Sequence, residues 1–96
     1  MLLTDKNVII TGASRGIGRA AALECARQGA NVVIGYSGSP SSRSAVEELI
    51  REIEALGQKA VAVGAPAGDP ETGELLVEAA VSNFGGVDVF VNNAGI

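Results

Sequence analysis

The sequence has few aromatic residues, one cysteine and no cluster of basic residues. Phe, Tyr and Trp make up 3% of the 96 residues, so the apolar side chains are mainly Ala, Val, Ile and Leu. The single cysteine, Cys25, excludes an internal disulfide framework and fits a reducing compartment. A net charge of −4 without a Lys/Arg cluster argues against binding to nucleic acid or to an anionic membrane surface.

Long apolar segments are also absent. No run approaches the roughly 18 residues that a membrane-spanning helix needs. The first seven residues, MLLTDKN, lack the apolar core of a signal peptide. The length allows one domain at most, or part of a larger one. These absences favour a cytoplasmic α/β protein.

Four short apolar runs, rich in β-branched residues, alternate with helical patterns. The runs cover residues 8–11, 31–36, 60–65 and 87–92. Because they are continuously apolar rather than alternating, they are typical of parallel strands buried on both faces. The order predicts an α/β fold, a doubly wound parallel (Rossmann) sheet of which the first half is βαβαβαβ. Right-handed crossovers then place helices on both faces of the sheet.

Two helices are predicted in the first half of the chain. The first covers residues 17–28, with an Ala-rich face through Ile17, Ala21 and Cys25, and Gly29 ends it. The second carries an apolar stripe after a capping box at residues 44–47, so residues 37–44 are expected to connect strand and helix. Cys25 lies among alanines, which favours a packed thiol over a nucleophile.

The third helix has clear signals at both ends. Asp69 is a natural N-cap, Pro70 suits the first helical position, and Gly85-Gly86 ends the helix. Leu76, Ala80 and Phe84 share one face.

The glycine-rich segment TGASRGIG, residues 11–18, connects the first strand to the first helix. Its glycines Gly12, Gly16 and Gly18 follow the spacing G-x-x-x-G-x-G. A helix N-terminus presents unpaired N–H groups and partial positive charge, which suit a pyrophosphate. The glycines allow, in order, a turn out of the strand, close approach of phosphates and close packing of the helix. A turn without a ligand is the alternative.

The missing Lys-Ser/Thr after the last of these glycines excludes a nucleoside-triphosphate P-loop, so a dinucleotide site is predicted. No acidic residue occurs between Glu24 and Glu47, where NAD-preferring folds carry a carboxylate for the ribose 2′-hydroxyl. Arg15, Arg43 and the hydroxyl groups after Tyr36 suit a 2′-phosphate instead. This pattern favours NADP over NAD, with two solvated loop arginines as the alternative.

The segment Asn92-Asn93-Ala94-Gly95 follows the fourth strand, where open α/β sheets bind ligands. Together with TGASRGIG, and separated from it by three βα units, it makes the chain resemble the short-chain dehydrogenase/reductase family. The resemblance covers all 96 residues. It implies eleven cofactor-binding residues, which are Gly12, Ser14, Arg15, Gly16, Ile17, Gly18, Ser37, Ala67, Asn93, Ala94 and Gly95.

Each of these groups has an implied role. The residues of the glycine-rich segment line the phosphates, and Ser37 lies beside the adenosine 2′ position. Asn93, Ala94 and Gly95 pass along the ribose toward the nicotinamide. One departure concerns the adenine, because the family's Asp after the third strand is Pro66 here. Adenine recognition is therefore expected to rest on the Ala67 backbone and to be looser.

The family's catalytic Ser, Tyr and Lys follow its Asn-Asn-Ala-Gly motif, and this chain contains no Tyr-x-x-x-Lys. Residues 1–96 are therefore expected to be the N-terminal portion of a single dinucleotide-binding domain, with no catalytic residue and no metal site. The resemblance implies that the full enzyme transfers hydride between NADP and a small-molecule sugar or secondary alcohol, and that it is a homo-oligomer.

Within the family, residues 1–39 are most similar to a bacterial branch that oxidises L-rhamnose at C1. The 3-oxoacyl-carrier-protein reductase branch is the alternative. A natural half-domain that binds nucleotide without chemistry, or a nonfunctional remnant, are further alternatives.

Overall fold

A computed structural model describes residues 1–66 and 68–93. Strands and helices alternate along the chain, as the apolar runs predict. The elements are β1 (Asn7–Ile10), α1 (Gly16–Arg27), β2 (Asn31–Tyr36), α2 (Pro40–Ala55), β3 (Ala60–Gly64), α3 (Pro70–Phe84) and β4 (Val89–Val91). No described helix is long and apolar enough to cross a membrane.

The four strands form one parallel sheet in the order β3-β2-β1-β4. The chain first moves outward from β1 to β3 and then returns to place β4 on the other side of β1. This reversal puts a topological switch point between β1 and β4, which is the position where doubly wound sheets bind ligands. The predicted α/β Rossmann architecture is confirmed.

Helices cover both faces of the sheet because successive residues of the central strands point to opposite sides. Val8, Ile10, Val32 and Ile34 belong to a core cluster shared with α1 and α2. Ile9 and Val33 belong to a second cluster with Leu76 and Ala80 of α3. β1 and the middle of β2 are buried on both sides, as their continuous apolar sequence predicts.

The face that α1 buries differs from the predicted one by one residue. Its buried positions are Gly18, Ala22 and Ala26, whereas Ile17 is 81% exposed. At Gly18 the helix lies so close to the backbone of the glycine-rich segment that only glycine fits. The small residues, rather than the largest apolar one, therefore define the packed face.

The second helix begins at Pro40 rather than after a capping box at residues 44–47, so that prediction is wrong. Ser39 is the N-cap, with its hydroxyl accepting from the N–H of Ser42, and Pro40 occupies the first turn. Arg43 consequently lies in the first turn of α2 and not in a loop. Of the predicted apolar stripe, Val46, Leu49 and Ile53 are buried and Ile50 is half-buried, whereas Leu56 is the C-cap and 42% exposed.

The third helix agrees with its sequence signals at both ends. The Asp69 carboxylate accepts from the N–H of Glu71, and Gly85 adopts a left-handed conformation at the C-cap. β4 is shorter than the predicted strand at residues 87–92. Asp88 precedes it, and its carboxylate accepts from the N–H of Asn7 at 2.8 Å.

Candidate functional site

A cleft of about 390 Å³ lies along the carboxyl edge of the sheet, next to the switch point. Residues that follow or end the strands contribute to its wall, together with the first turns of α2 and α3. The lining residues are Thr11, Gly12, Ser14, Arg15, Gly35, Tyr36, Ser37, Ser42, Ala65, Thr72 and Asn93. None of these lining residues is acidic.

The glycine-rich segment is fixed by close backbone packing at one end of the cleft. Gly12 adopts a φ of 64°, which turns the chain out of β1. The side-chain amide of Asn93 donates to the Gly12 carbonyl at 3.3 Å. A Cβ atom at Gly18 would lie 2.3 Å from the Gly12 oxygen, so only glycine fits there. These contacts hold together the glycine-rich segment, the start of α1 and the residues that follow β4.

The N-terminus of α1 opens without a side-chain cap. Its N-cap residue, Arg15, makes no capping hydrogen bond, and the first turn contains no acidic residue. By contrast, Ser39 caps α2 and Asp69 caps α3. The first N–H groups of a helix have no intrahelical acceptor. This end of α1 is therefore suited to an external anion.

Arg15 is a cation at the cleft wall, and no ion pair within residues 1–66 and 68–93 uses it. The ion pairs there involve other arginines: Arg19 contacts Glu52 and Glu48, and Arg27 contacts Glu24. Arg15 is exposed, so its guanidinium keeps its hydration until a ligand binds.

Serine hydroxyls form the neighbouring wall between β2 and α2. The Ser39 hydroxyl donates to Ser42 Oγ at 2.9 Å, and the Ser37 hydroxyl contacts Ser39 Oγ at 3.3 Å. Ser42 is buried, whereas Ser37 is exposed at the cleft. Among the described lining residues, this wall offers hydroxyl donors and no carboxylate.

The far end of the cleft is formed by the segment after β3 and the first turn of α3. The Ala65 N–H donates to the Tyr36 carbonyl at 2.9 Å, which continues the pairing of β2 and β3. The Thr72 hydroxyl donates to the Pro66 carbonyl at 2.6 Å, and the Asp69 N–H donates to the same oxygen at 3.2 Å. Thr72 is buried at the cleft wall.

The structure brings five of the eleven predicted site residues into one cleft, which are Gly12, Ser14, Arg15, Ser37 and Asn93. Gly16, Ile17 and Gly18 form the first turn of α1, where the Ile17 side chain points to solvent and Gly18 is buried. Ala67, Ala94 and Gly95 lie outside the described residues. Arg43 is exposed in α2 and does not line the cleft.

Sequence reasoning missed six lining residues, which are Thr11, Gly35, Tyr36, Ser42, Ala65 and Thr72. Three of them end a strand or follow one directly, and Gly35 is the next-to-last residue of β2. The rule that ligands bind at carboxyl ends of parallel strands could have found these four. Ser42 and Thr72 lie in the first turns of helices and become neighbours of the cleft only in the folded chain.

Cys25 lies in α1 outside the cleft wall, with a half-buried thiol. Burial raises the pKa of the Cys25 thiol, and the nearby Glu24 carboxylate acts in the same direction. The thiolate is the nucleophilic form, so both effects disfavour a reactive cysteine.

Comparison with known proteins gives consistent matches over nearly the whole chain. The chain is 67% identical over 96 residues to an L-rhamnose 1-dehydrogenase (NAD(P)(+)) of Azotobacter vinelandii, covering all of this chain and 38% of that enzyme. It is 45% identical over 91 residues to a 3-oxoacyl-[acyl-carrier-protein] reductase of Staphylococcus aureus, covering 95% of this chain and 36% of the reductase.

A solved structure shows the same fold. A blue fluorescent protein from a metagenomic library, in complex with NADPH, matches with a TM-score of 0.93 at 42% identity. The match covers 100% of this chain and 38% of that protein, so the chain spans less than two fifths of these relatives. Residues 6–96 match the family described as short chain dehydrogenase. The family match over residues 6–96 and the parallel sheet agree, and the chain belongs to the short-chain dehydrogenase family.

Proposed function

We propose that this chain is the NADP-binding portion of a dehydrogenase that oxidises a sugar at C1, with L-rhamnose as the substrate. The observation that carries the proposal is the cleft at the switch point, where an uncapped helix N-terminus, Arg15 and serine hydroxyls meet. Among the described residues, Arg15 forms no ion pair and no acidic side chain lines the cleft. These groups are complementary to a phosphorylated dinucleotide.

The order of the strands supports one orientation of the cofactor. A pyrophosphate at the N-terminus of α1 lies between β1 and the adjoining strands, so the two halves of the dinucleotide extend in opposite directions. The adenosine half extends over β2 toward Ala65 and Thr72. The nicotinamide half extends toward Asn93 after β4. Ala94 and Gly95 remain proposed contacts on that side, and Ala67 on the adenosine side.

The preference for NADP over NAD rests on charge. A 2′-phosphate beside Ser37 meets hydroxyl groups and the Arg15 guanidinium, and no acidic side chain of the described lining repels it. Gly16, Ile17 and Gly18 contribute backbone N–H groups rather than side chains to the phosphates. The name of the relative from A. vinelandii includes both NAD and NADP, so we expect this chain to bind both cofactors and to bind NADP more tightly.

Bound NADP supplies the hydride acceptor, and this chain positions it. The residues described here bind and orient the dinucleotide, whereas the proton-transferring groups belong to the part of the family's sequence after Asn-Asn-Ala-Gly. We accordingly assign no catalytic residue to residues 1–96. We further propose that the whole enzyme is cytoplasmic and homo-oligomeric and acts on a small molecule.

The choice of substrate rests on the 67% identity to the L-rhamnose enzyme. The second candidate is reduction of a 3-oxoacyl thioester, favoured by the 45% identity to the carrier-protein reductase. The third is a nucleotide-binding module without chemistry.

One set of assays separates the three. The full-length protein that carries this chain is supplied with L-rhamnose and NADP, and separately with a 3-oxoacyl thioester and NADPH, while the absorbance of NADPH is followed. The proposal expects NADPH formation with L-rhamnose and less than a tenth of that rate with the thioester. Faster thioester reduction favours the second candidate. NADPH binding without turnover of either substrate favours the module.

A further inference from the structure

The end of the cleft formed by Ala65 and Thr72 carries a polar side-chain group, the Thr72 hydroxyl. Thr72 is buried on the first turn of α3, and its hydroxyl contacts the Pro66 carbonyl in the segment after β3. Pro66 offers no side-chain hydrogen-bonding group at this point. The recognition of a base at this end of the cleft must therefore use other atoms.

The direction of the hydrogen bond between the Thr72 hydroxyl and the Pro66 carbonyl is fixed. A carbonyl oxygen carries no proton, so in the 2.6 Å contact the hydroxyl donates its hydrogen to Pro66. No second donor among the described residues reaches Thr72 Oγ1. The oxygen consequently keeps a lone pair that can accept a hydrogen bond but has no proton left to donate.

We propose that Thr72 is a specificity-determining residue that accepts a hydrogen bond from the 6-amino group of the adenine. A 6-amino group is a donor, whereas the 6-oxo group of hypoxanthine or guanine is an acceptor and opposes the Thr72 oxygen. To accommodate a 6-oxo base, the hydroxyl has to leave the Pro66 carbonyl, which frees the turn that this bond holds. The inference rests on the proposed binding of NADP in this cleft.

The test compares NADPH with its hypoxanthine analogue, in which an oxo group replaces the 6-amino group. Both are titrated into the full-length protein, and the ratio of their dissociation constants is measured for the wild type and for Thr72→Val and Thr72→Ser. The wild type is expected to bind NADPH about three- to tenfold more tightly than the analogue. Thr72→Val should bring the ratio near one, and Thr72→Ser should preserve it.

Thr11→Val is the matched control, because it makes the same substitution at the opposite end of the same cleft. It can alter affinity for both cofactors but should leave their ratio unchanged. If Thr72→Val fails to fold, Thr72→Ala removes the hydroxyl without adding volume and is measured in its place.

Each outcome bears on the proposal. A ratio near one in the wild type overturns the inference while leaving NADP binding intact. A ratio that persists after removal of the hydroxyl overturns it as well. If NADPH does not bind the wild type at all, the proposed function and this inference both fail. A merely structural Thr72 would lower both affinities together and leave the ratio unchanged.

Discussion

Arg15 is the cation that we expect to distinguish NADP from NAD. It lines the cleft and forms no ion pair within the described residues, so its charge is available to a 2′-phosphate. Arg15→Ala in the full-length protein is expected to weaken NADP binding by about 1–3 kcal/mol, the range for a charge-assisted hydrogen bond, with NAD nearly unaffected. The measurement is a KM for each cofactor.

Arg43→Ala is the control for this prediction. Arg43 has the same charge and lies in the first turn of α2, yet it does not line the cleft. Its removal should change the NADP constant less than the removal of Arg15. An equal loss of NAD and NADP in Arg15→Ala would show instead that Arg15 acts on the shared pyrophosphate or on folding.

Pro66 is the residue at which this chain departs from the family's adenine-binding aspartate. Pro66→Asp is expected to add a side-chain acceptor and to tighten NADP and NAD by the same factor, about two- to tenfold, because the two cofactors share the adenine. Calorimetric titration of both cofactors checks this. The absence of any gain would show that residue 66 does not approach the base.

At the level of helices and strands, the sequence predicts best where the signals are local. Asp69, Pro70 and Gly85 each act within their own helix, and α3 has the predicted ends. The sequence does not fix the start of α2, because it offers two serine-containing cap signals, one at Ser39 and one at Ser44. The structure uses Ser39 because it precedes Pro40. A proline at the first helical position removes an N–H group that would have no intrahelical acceptor.

The packed face of α1 could not be predicted from hydrophobicity. A run of alanines gives little periodicity, and Ile17 alone directs the prediction to the wrong side. The deciding contacts are those of Gly18 with the Gly12 carbonyl and Asn93, and Asn93 is 75 residues away in the sequence. For the same reason the sequence does not identify Ser42 and Thr72 as site residues, since only the folded sheet and helices bring them to the cleft.

Gly18→Ala tests this contact. Its Cβ would lie 2.3 Å from the Gly12 oxygen and 2.8 Å from Asn93 Nδ2, so the backbone has to move. We expect a loss of about 1–3 kcal/mol in the free energy of unfolding. Binding of NAD and NADP should weaken together, because the glycine-rich segment is displaced. Chemical denaturation and cofactor titration give the two quantities.

The control is Gly73→Ala, the same substitution inside α3. Apart from the backbone of its own helix and its chain neighbours, no atom of the described residues lies within 4 Å of the added Cβ there. The better helix former should therefore stabilise the protein by about 0.5–1 kcal/mol. If Gly18→Ala also stabilised the protein, the close approach of α1 to the glycine-rich segment would be wrong.

At the scale of the whole molecule, the central strands of the sheet are buried and the edge strand β4 is exposed. β1 and β2 are central and buried, whereas β4 pairs only with β1 among the described strands. Val89, Phe90 and Val91 are 40%, 44% and 37% exposed. Strands of parallel sheets are normally buried on both faces, so this exposed apolar strand favours association with further apolar surface.

Residues 1–96 expressed alone are therefore expected to self-associate and to bind NADP weakly, because an apolar edge without Pro or Lys presents unpaired N–H and C=O groups. Size-exclusion chromatography with thermal unfolding, with and without NADP, checks this. Phe90→Lys places a charge on the exposed strand and should reduce the association. Glu78→Lys changes the charge of an exposed residue of α3 and should have less effect. A monodisperse monomer that unfolds cooperatively and binds NADP at micromolar concentration would contradict the expectation, and would favour a nucleotide-binding module that is stable by itself.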